Sequence, residues 1–145
     1  MIRSLGFAQL DQRTAYDVWR LRQDVFVIEQ ASVYPDLDGR DLEPATRHLV
    51  LTEDDVVLGY LRLLDDGDAA RIGRVVVAAG ARGRGLADEL MRAALAETGG
   101  RAVRLDAQTG LAGWYASYGF EASGPEFDDE GIRHLPMTRP ADLSG

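Results

Sequence analysis

A strand, a glycine-rich loop and a helix follow one another in the middle of this chain, and they constrain its fold most strongly. Residues 72–77 form a β-branched run, residues 78–85 contain three glycines, and an apolar helical pattern begins at Leu86. The first turn of a helix has N–H groups without intrahelical partners, and the helix dipole adds positive potential there. The sequence therefore predicts an anion site of the kind that holds a phosphate or pyrophosphate.

Length and composition indicate one folded domain, which we place at residues 1–139, with a frayed tail at residues 140–145. The formal net charge of -8 opposes binding to nucleic acid, and no apolar run approaches the ~20 residues that span a membrane. The absence of cysteine excludes disulfides and thiolate metal sites and is typical of a reducing cytoplasm. Two histidines at unrelated positions do not form a metal site, so no metal is expected.

Hydrophobic periodicity predicts the element order β-α-β-β-β-α-β-α-β-β. We expect strands at residues 3–7, 48–52, 56–64, 70–77, 103–107, 121–127 and 132–137, and helices at residues 12–27, 85–98 and 111–117. Asp11 is expected to cap the first helix, and Gly99 with Gly100 to end the second. Antiparallel hairpins followed by βα units indicate the α+β class, with a mixed, mainly antiparallel sheet flanked by helices.

The glycine-rich loop can be compared with three kinds of phosphate-binding loop. A P-loop needs a lysine after its last glycine, and this chain has no lysine. A dinucleotide fingerprint needs a third small residue where Asp88 stands. The pattern Arg82-x-x-Gly85-x-Ala87 resembles the coenzyme A loop of the GNAT N-acetyltransferases. An ordinary strand-to-helix turn is the alternative interpretation of the loop taken alone.

A second segment supports this resemblance. Residues 115–120 read Tyr-Ala-Ser-Tyr-Gly-Phe and are similar to the Tyr-x-x-x-Gly-Phe segment that the same family carries after its fifth strand. Within this family, the chain resembles the ElaA-type branch in particular. This similarity extends from Leu21 to Met137. It is carried by residues within 21–30, Tyr34, residues within 38–42, Arg47, His48, residues within 60–64, residues 72–75 and residues within 129–134. The resemblance implies the GNAT, or acyl-CoA N-acyltransferase, fold.

The resemblance also implies a function, the transfer of an acetyl group from acetyl-CoA to a primary amine by direct attack in a ternary complex. The backbone of the glycine-rich loop would bind the pyrophosphate, and a splay between the fourth and fifth strands would hold the pantetheine arm. The cofactor-binding residues would be Val75, Val76, Val77, Arg82, Gly83, Arg84, Gly85, Leu86 and Ala87. Tyr115 would act as general acid for the departing thiolate. The acceptor would be a small amine or a peptide amine.

The sequence leaves the general base open. Many family members carry a glutamate near the start of the fourth strand, but residues 71–74 contain no acid. Glu29, His48 and His134 are the candidates. Asp106, Gln108 and water are further options.

Two acidic segments are also open to interpretation. Their members are Asp36, Asp38, Asp41 and Glu43 in one, and residues 128–130 in the other. We favour a solvated surface over a negative rim that attracts a cationic amine.

An alternative function on the same fold is a non-catalytic acyl-CoA-binding sensor or interaction module, although Tyr115 favours catalysis. Exposed sheet edges are compatible with a homodimer.

Overall fold

The structure is a computed structural model that describes residues 1–142. Its strands are β1 (Ile2–Leu5), β2 (Arg47–Glu53), β3 (Val56–Asp65), β4 (Ala70–Val77), β5 (Val103–Gln108), β6 (Glu121–Ala122), β7 (Phe127–Asp129) and β8 (Ile132–Arg139). Its longer helical segments are α1 (Gln12–Arg22), a π-helix (Gln23–Glu29), α2 (Leu86–Glu97) and α3 (Ala112–Ala116). The strands form one sheet in the order β1-β2-β3-β4-β5-β8-β6, with β7 also paired to β8. Only β4 and β5 pair in parallel, so the predicted mixed, mainly antiparallel sheet is confirmed.

The first helix begins as predicted but changes its type before the predicted end. The Asp11 carboxylate caps it by accepting a hydrogen bond at 2.7 Å from the backbone N–H of the third helical residue. The α-helix ends at Arg22, and residues 23–27 belong to the π-helix instead. Within that segment the N–H of Gln30 bonds to the carbonyl of Val25 at 3.1 Å. Apolar spacing along the sequence does not distinguish the two helix types, because both keep the apolar side chains on one side.

Helices cover both faces of the sheet. On one face, Val18 and Leu21 of α1 pack against Tyr60 and Val76 of the sheet. The opposite face carries the larger core, between the sheet and helices α2 and α3. Its most deeply buried members include Leu49, Leu61, Leu90, Met91 and Val103. These two layers hold the strands that form the candidate site.

Strand β4 contains a bulge that reverses which side chains face each layer. The register with β3 shifts between Tyr60 and Arg62, so that one residue of β3 faces two residues of β4. One of the two is Arg74, whose φ is +53°. Ile72, before the bulge, packs in the α2 layer, whereas Val76, after it, packs in the α1 layer. A side chain in this backbone region costs on the order of 1–3 kcal/mol, so other contacts must hold it there.

Strands β4 and β5 form a gap beyond their first residues. They pair only at Ala70 with Val103 and at Arg71 with Arg104. The rest of β4, up to Val77, has no strand partner on this side. The gap agrees with the splay that the resemblance implies.

The C-terminal region differs from the prediction in one strand. Residues 121–127 form two short strands, β6 and β7, instead of one, and both pair with β8. Pro125 lies between them and has no N–H to donate, so it interrupts the ladder. Asp142 N donates a hydrogen bond to Gly100 O at 2.8 Å. Residues 143–145 lie outside the described residues, and the frayed tail at residues 140–145 stays a prediction.

An ion cluster is buried between α1, the loop after the π-helix, and the sheet. Its members are Arg22, Arg62, Arg74, Asp36, Asp38 and Asp41. Arg22 has no exposed surface, and it pairs with Asp36 at 2.9 Å and with Asp41 at 2.8 Å. Arg62 Nη2 bonds to Asp38 Oδ2 at 2.6 Å. The equal numbers of positive and negative groups balance the charge of the cluster, so that four members are buried while Arg74 and Asp38 stay partly exposed.

We predict that Arg22→Met lowers the free energy of unfolding by about 3–5 kcal/mol, because the buried carboxylates of Asp36 and Asp41 each lose one cationic partner and the charges of the cluster no longer balance. Urea denaturation followed by circular dichroism measures this change. The control is Arg104→Met, which removes an exposed pair with Asp68 whose side chains are 41% and 65% exposed. Surface pairs of this kind contribute little, so we expect a much smaller effect. Equal, small losses in both variants would contradict a structural role for the ion cluster.

Candidate active site

A cleft of about 300 Å³ lies at the gap between β4 and β5. Gly73 and Val75 of β4 line it from one side, and Gln108 of β5 lines it from the other. Tyr115 of α3 and His134 of β8 also face it. The splay of the two strands therefore places a phenol and an imidazole around the same enclosed space.

Two hydrogen bonds hold the loop after the π-helix over this cleft. Ser32 Oγ donates to the carbonyl oxygen of Glu130, in the turn between β7 and β8, at 3.1 Å. Gln108 Nε2 donates to Gln30 Oε1 at 3.3 Å. Together they connect segments that are far apart in the chain, and they close one side of the cleft.

Tyr115 is almost fully buried at the end of α3. Its side chain is 7% exposed and packs edge-on against Trp114 and Phe120, at ring distances of 4.9 and 6.2 Å. Burial alone raises the pKa of Tyr115 to about 12. The phenol therefore keeps its proton at neutral pH and can donate a hydrogen bond to a developing anion.

The glycine-rich loop has the backbone geometry of an anion site. Gly83 and Gly85 have φ of +81° and +77°, a region that glycine adopts without strain. Gly85 is the N-cap of α2, and no side chain caps the helix there. A Cβ at either glycine would meet nothing within 4 Å, so the backbone is open to a ligand. The N–H groups of Leu86 and Ala87 are then free to bind a phosphate.

The side chains of the two loop arginines are paired with surface carboxylates. Arg82 holds Glu29 through two bonds of 2.8 and 3.0 Å, and its Nε donates to Val77 O at 3.2 Å. Arg84 pairs with Glu53 at 2.5 Å. All four side chains are about half exposed. The predicted phosphate-binding cations thus lie beside the loop, each in an exposed ion pair.

Glu29, a candidate base, lies outside the lining of the cleft. The hydrogen bond from Arg82 lowers the pKa of Glu29, which makes its carboxylate a weaker base. The structure places Glu29 beside the phosphate loop and away from Tyr115. Glu29 instead accepts two hydrogen bonds from Arg82 and so positions that guanidinium.

His48, a second candidate base, is fully buried away from the cleft. Its Nε2 lies 3.0 Å from the carbonyl of Asp41, which can only accept, so this nitrogen carries the proton. Its Nδ1 then accepts a hydrogen bond from the Tyr60 hydroxyl at 2.6 Å. Burial lowers the pKa of His48 and favours the neutral ring. Both ring nitrogens are used within the protein.

His134, the third candidate, lies in the cleft with Tyr115. Its Nδ1 is 2.9 Å from the carbonyl of Ile132, so Nδ1 carries the proton and Nε2 keeps its lone pair in the neutral ring. The ring stacks on Phe127 at 5.7 Å, which fixes its orientation. The structure therefore brings together Tyr115 and His134 but neither Glu29 nor His48.

The acidic loop is the part of the site that the sequence analysis misjudged. Asp36 and Asp41 are buried in the ion cluster, so the expected solvated surface is wrong for these two residues. Asp38 and Glu43 are partly exposed, and each is paired with an arginine, so neither forms a free negative rim. Asp129 and Glu130 do line the cleft and are exposed. An arginine on the apolar face of α1 was the available signal, since a buried guanidinium requires carboxylate partners.

A further contact joins the two recognised motifs. The Tyr118 hydroxyl donates a short hydrogen bond to the carboxylate of Asp88, in the first turn of α2. Asp88 also pairs with Arg92 one turn later, at 3.0 Å. The residue that breaks the dinucleotide pattern thus connects α3 to the start of α2, which orients the phenol-bearing segment relative to the glycine-rich loop.

Two other classes of site are absent from the described residues. No group of three or more His, Asp or Glu side chains within residues 1–142 could hold a metal ion. In the same part of the chain, no helix is both long and apolar enough to cross a membrane.

Comparisons with known proteins place this arrangement in a family. The profile described as "Acetyltransferase (GNAT) domain" matches residues 5–140. A UPF0039 protein of Mycobacterium tuberculosis is 46% identical over 144 residues, which cover 96% of this chain and 92% of that protein. Protein ElaA of Escherichia coli is 34% identical over 145 residues, with 94% of each chain covered.

Solved structures agree with this result. The crystal structure of an acyl-CoA N-acyltransferase from Pseudomonas aeruginosa has a TM-score of 0.91 and 36% identity, covering 96% of this chain and 99% of that one. Escherichia coli ElaA also has a TM-score of 0.91, with 31% identity and the same coverage. The acyl-CoA N-acyltransferase fold that the sequence implied is confirmed.

We predict that His48 makes the protein less stable as the pH falls from 7 to 5. The pKa of His48 in the folded state is below its ordinary value of 6.5, so the unfolded chain binds more protons in this range. The contribution of the neutral His48 ring to the free energy of unfolding is complete above pH 6.5, and this contribution is lost as the pH decreases from there. Urea denaturation at several pH values should show this loss in the native protein and a weaker loss in His48→Gln. His134→Gln, as the control, should keep it, and an unchanged slope in His48→Gln would contradict the prediction.

Proposed function

The chain belongs to the GNAT acetyltransferase family, in the ElaA-type branch, and we propose that it transfers an acetyl group from acetyl-CoA to a primary amine. Strand β4 is the observation that carries this proposal. Its middle part lines the cleft that contains Tyr115, and its end, Val77, leads into the glycine-rich loop. A ligand with a pyrophosphate at the loop and a thioester in the cleft would extend along this one strand.

The loop would bind the pyrophosphate mainly through its backbone. The first N–H groups of α2 have no intrahelical partners, and Gly83 and Gly85, at positive φ, allow close approach of a ligand. Arg82 and Arg84 would exchange their carboxylate partners for phosphate oxygens. Such exposed pairs are weak in water, so a doubly charged ligand can compete for them.

The gap would hold the pantetheine arm beside Val75, Val76 and Val77. Unpaired peptide groups of β4 can form hydrogen bonds with the amides of that arm, as a neighbouring strand would. This placement would bring the thioester carbonyl to the cleft, next to the acceptor amine. Holding both reactants in one site removes the entropic cost of their encounter from the chemical step.

In the reaction, the amine nitrogen attacks the thioester carbonyl, a C–N bond forms and the C–S bond breaks. Coenzyme A leaves as a thiolate, and the Tyr115 hydroxyl donates a hydrogen bond to it. The pKa of Tyr115, about 12, is roughly 3.5 units above that of an ordinary thiol near 8.5. Complete proton transfer from the phenol would therefore be uphill by about 5 kcal/mol, and Tyr115 stabilises the thiolate chiefly by its hydrogen bond.

The proton of the attacking amine goes to His134 Nε2 or to water in this proposal. His134 is favoured over Glu29 and His48 because it shares the cleft with Tyr115 and because its Nε2 is the unprotonated nitrogen. Asp129 and Glu130 line the same space and favour the approach of a cationic acceptor such as an alkylammonium group, which first releases one proton to water to become the attacking amine.

We predict that the chain binds acetyl-CoA and that Gly85→Glu abolishes this binding. A glutamate at φ +77° strains the loop, and its charge repels the pyrophosphate. Isothermal titration with acetyl-CoA, coenzyme A and NAD measures the affinities. Gly67→Glu is a matched control, because Gly67 also has a positive φ of +89° and open space around its Cβ position but lies in a different turn. If the native protein binds NAD and not acetyl-CoA, the proposed function is wrong.

We predict that Tyr115→Phe lowers turnover by about 10²-fold or more and leaves the affinity for acetyl-CoA unchanged. Phenylalanine keeps the packing against Trp114 and Phe120 but has no hydrogen-bond donor for the thiolate. Release of the coenzyme A thiol measures turnover with a polyamine, an aminoglycoside and a lysine peptide as acceptors. Tyr16→Phe, at a side chain that is 67% exposed on α1, should leave turnover unchanged. Binding without thiol release by the native protein would favour an acyl-CoA sensor instead.

A further inference from the structure

Arg74 stands in a backbone conformation that favours glycine. It is one of the two β4 residues that face a single residue of β3 in the bulge, and its φ is +53°. When the first residue of a bulge is left-handed, it is commonly glycine, because a Cβ crowds the backbone there. The neighbouring Gly73 is not the residue that takes this conformation. Something other than local preference must therefore keep Arg74 in place.

The bulge decides which peptide groups of β4 face the gap. Before it, Ala70 N donates toward β5, to Ala102 O at 2.9 Å. After it, Ala78 N donates toward β3, to Leu58 O at 2.8 Å. In an uninterrupted strand these two N–H groups would point the same way, since they are an even number of residues apart. The inserted residue reverses the alternation, and as a result Val77 faces the gap.

The orientation of Val77 has independent support. Its carbonyl accepts a hydrogen bond from Arg82 Nε at 3.2 Å, across the side of β4 that has no strand partner. In the same stretch, Val76 is directed into the α1 layer and Val77 into the α2 layer. A shift of one residue would exchange these positions.

Contacts with Asp36 anchor the side chain of Arg74. Arg74 Nε lies 2.8 Å from Asp36 Oδ1, and Nη2 donates to Asp36 O at 3.0 Å. The guanidinium also lies over the ring of Tyr34, 5.5 Å from its centre. Asp36 is itself fixed, because fully buried Arg22 bonds to both its carboxylate and its carbonyl at 2.9 Å. Asp36 thus connects Arg74 to Arg22 of α1, a member of the ion cluster that lies outside the sheet.

We propose that Arg74 is a positioning residue for acyl-CoA. Its contacts with Asp36 hold the β4 bulge, and the bulge keeps the peptide groups of Val77 directed into the gap between β4 and β5. This inference rests on the proposed function for the identity of the ligand. The contact that carries this proposal is between Arg74 and the loop. Arg74 also lines the cleft, and the test below separates positioning from direct contact with the ligand.

The test compares Arg74→Ala with Arg74→Gly. Both remove the anchor, but glycine adopts the bulge conformation by itself, whereas alanine does not. Isothermal titration with acetyl-CoA should show affinity at least tenfold weaker for Arg74→Ala and within about threefold of native for Arg74→Gly. Equal losses in the two variants would mean that Arg74 contacts the ligand directly, and no loss in either would mean that the anchor is irrelevant to binding. Both results overturn the proposal.

A second measurement needs no ligand. Hydrogen exchange at the Ala78 amide reports the bond to Leu58, which depends on the register after the bulge. Exchange should be faster in Arg74→Ala and close to native in Arg74→Gly. If Arg74→Ala does not fold, Arg74→Met takes its place with the same expected results, because methionine keeps the aliphatic part of the side chain but has neither the guanidinium nor a tolerance of the left-handed region. Failure of the native protein to bind acetyl-CoA would overturn the proposed function, whereas unchanged exchange in every variant would overturn the anchoring role alone.

Discussion

Arg22 has no solvent-exposed surface, so its charge is compatible with the fold only because Asp36 and Asp41 bond to its guanidinium. Removing an ion of this kind from water costs several kcal/mol, which its partners must offset. The partners lie on a loop that has little regular structure of its own. The loop after the π-helix is therefore held against the sheet by charge pairing more than by apolar packing. Everything that this loop contributes to the cleft depends on these bonds.

The ion cluster reaches the cleft through the strands. Arg62 of β3 bonds to Asp38 and to Asp41, and its hydrogen bond to Asp38 holds the pKa of that carboxyl well below its usual range. The Asp38 carboxylate therefore stays charged at neutral and mildly acidic pH. Two other members of the same loop, Asp36 and Asp41, pair with Arg22 of α1, and Asp36 also pairs with Arg74 of β4. The carboxylates of the loop thus connect α1, the sheet and the cleft wall.

Local patterns in the sequence predicted the parts of the structure that are determined locally. Asp11 caps its helix, the glycines of the loop have positive φ, and Tyr115 lies at the end of a short helix after β5. Features that depend on distant residues were not predictable in this way. The partners of Arg74 are more than thirty positions away, and no local pattern shows that they neutralise one another. For the same reason, His48 looked like a candidate base when its environment was unknown.

Arginine performs two different tasks in a chain that has no lysine, and burial separates them. Arg22 and Arg62 are at most 4% exposed and have several charged partners, so a ligand in water cannot displace those partners. Arg82 and Arg84 are about half exposed and have one carboxylate each. Exposed pairs exchange at little cost, which suits the proposed exchange of a carboxylate for a phosphate. Guanidinium groups are thus structural where they are buried and available for ligand binding where they are exposed to solvent.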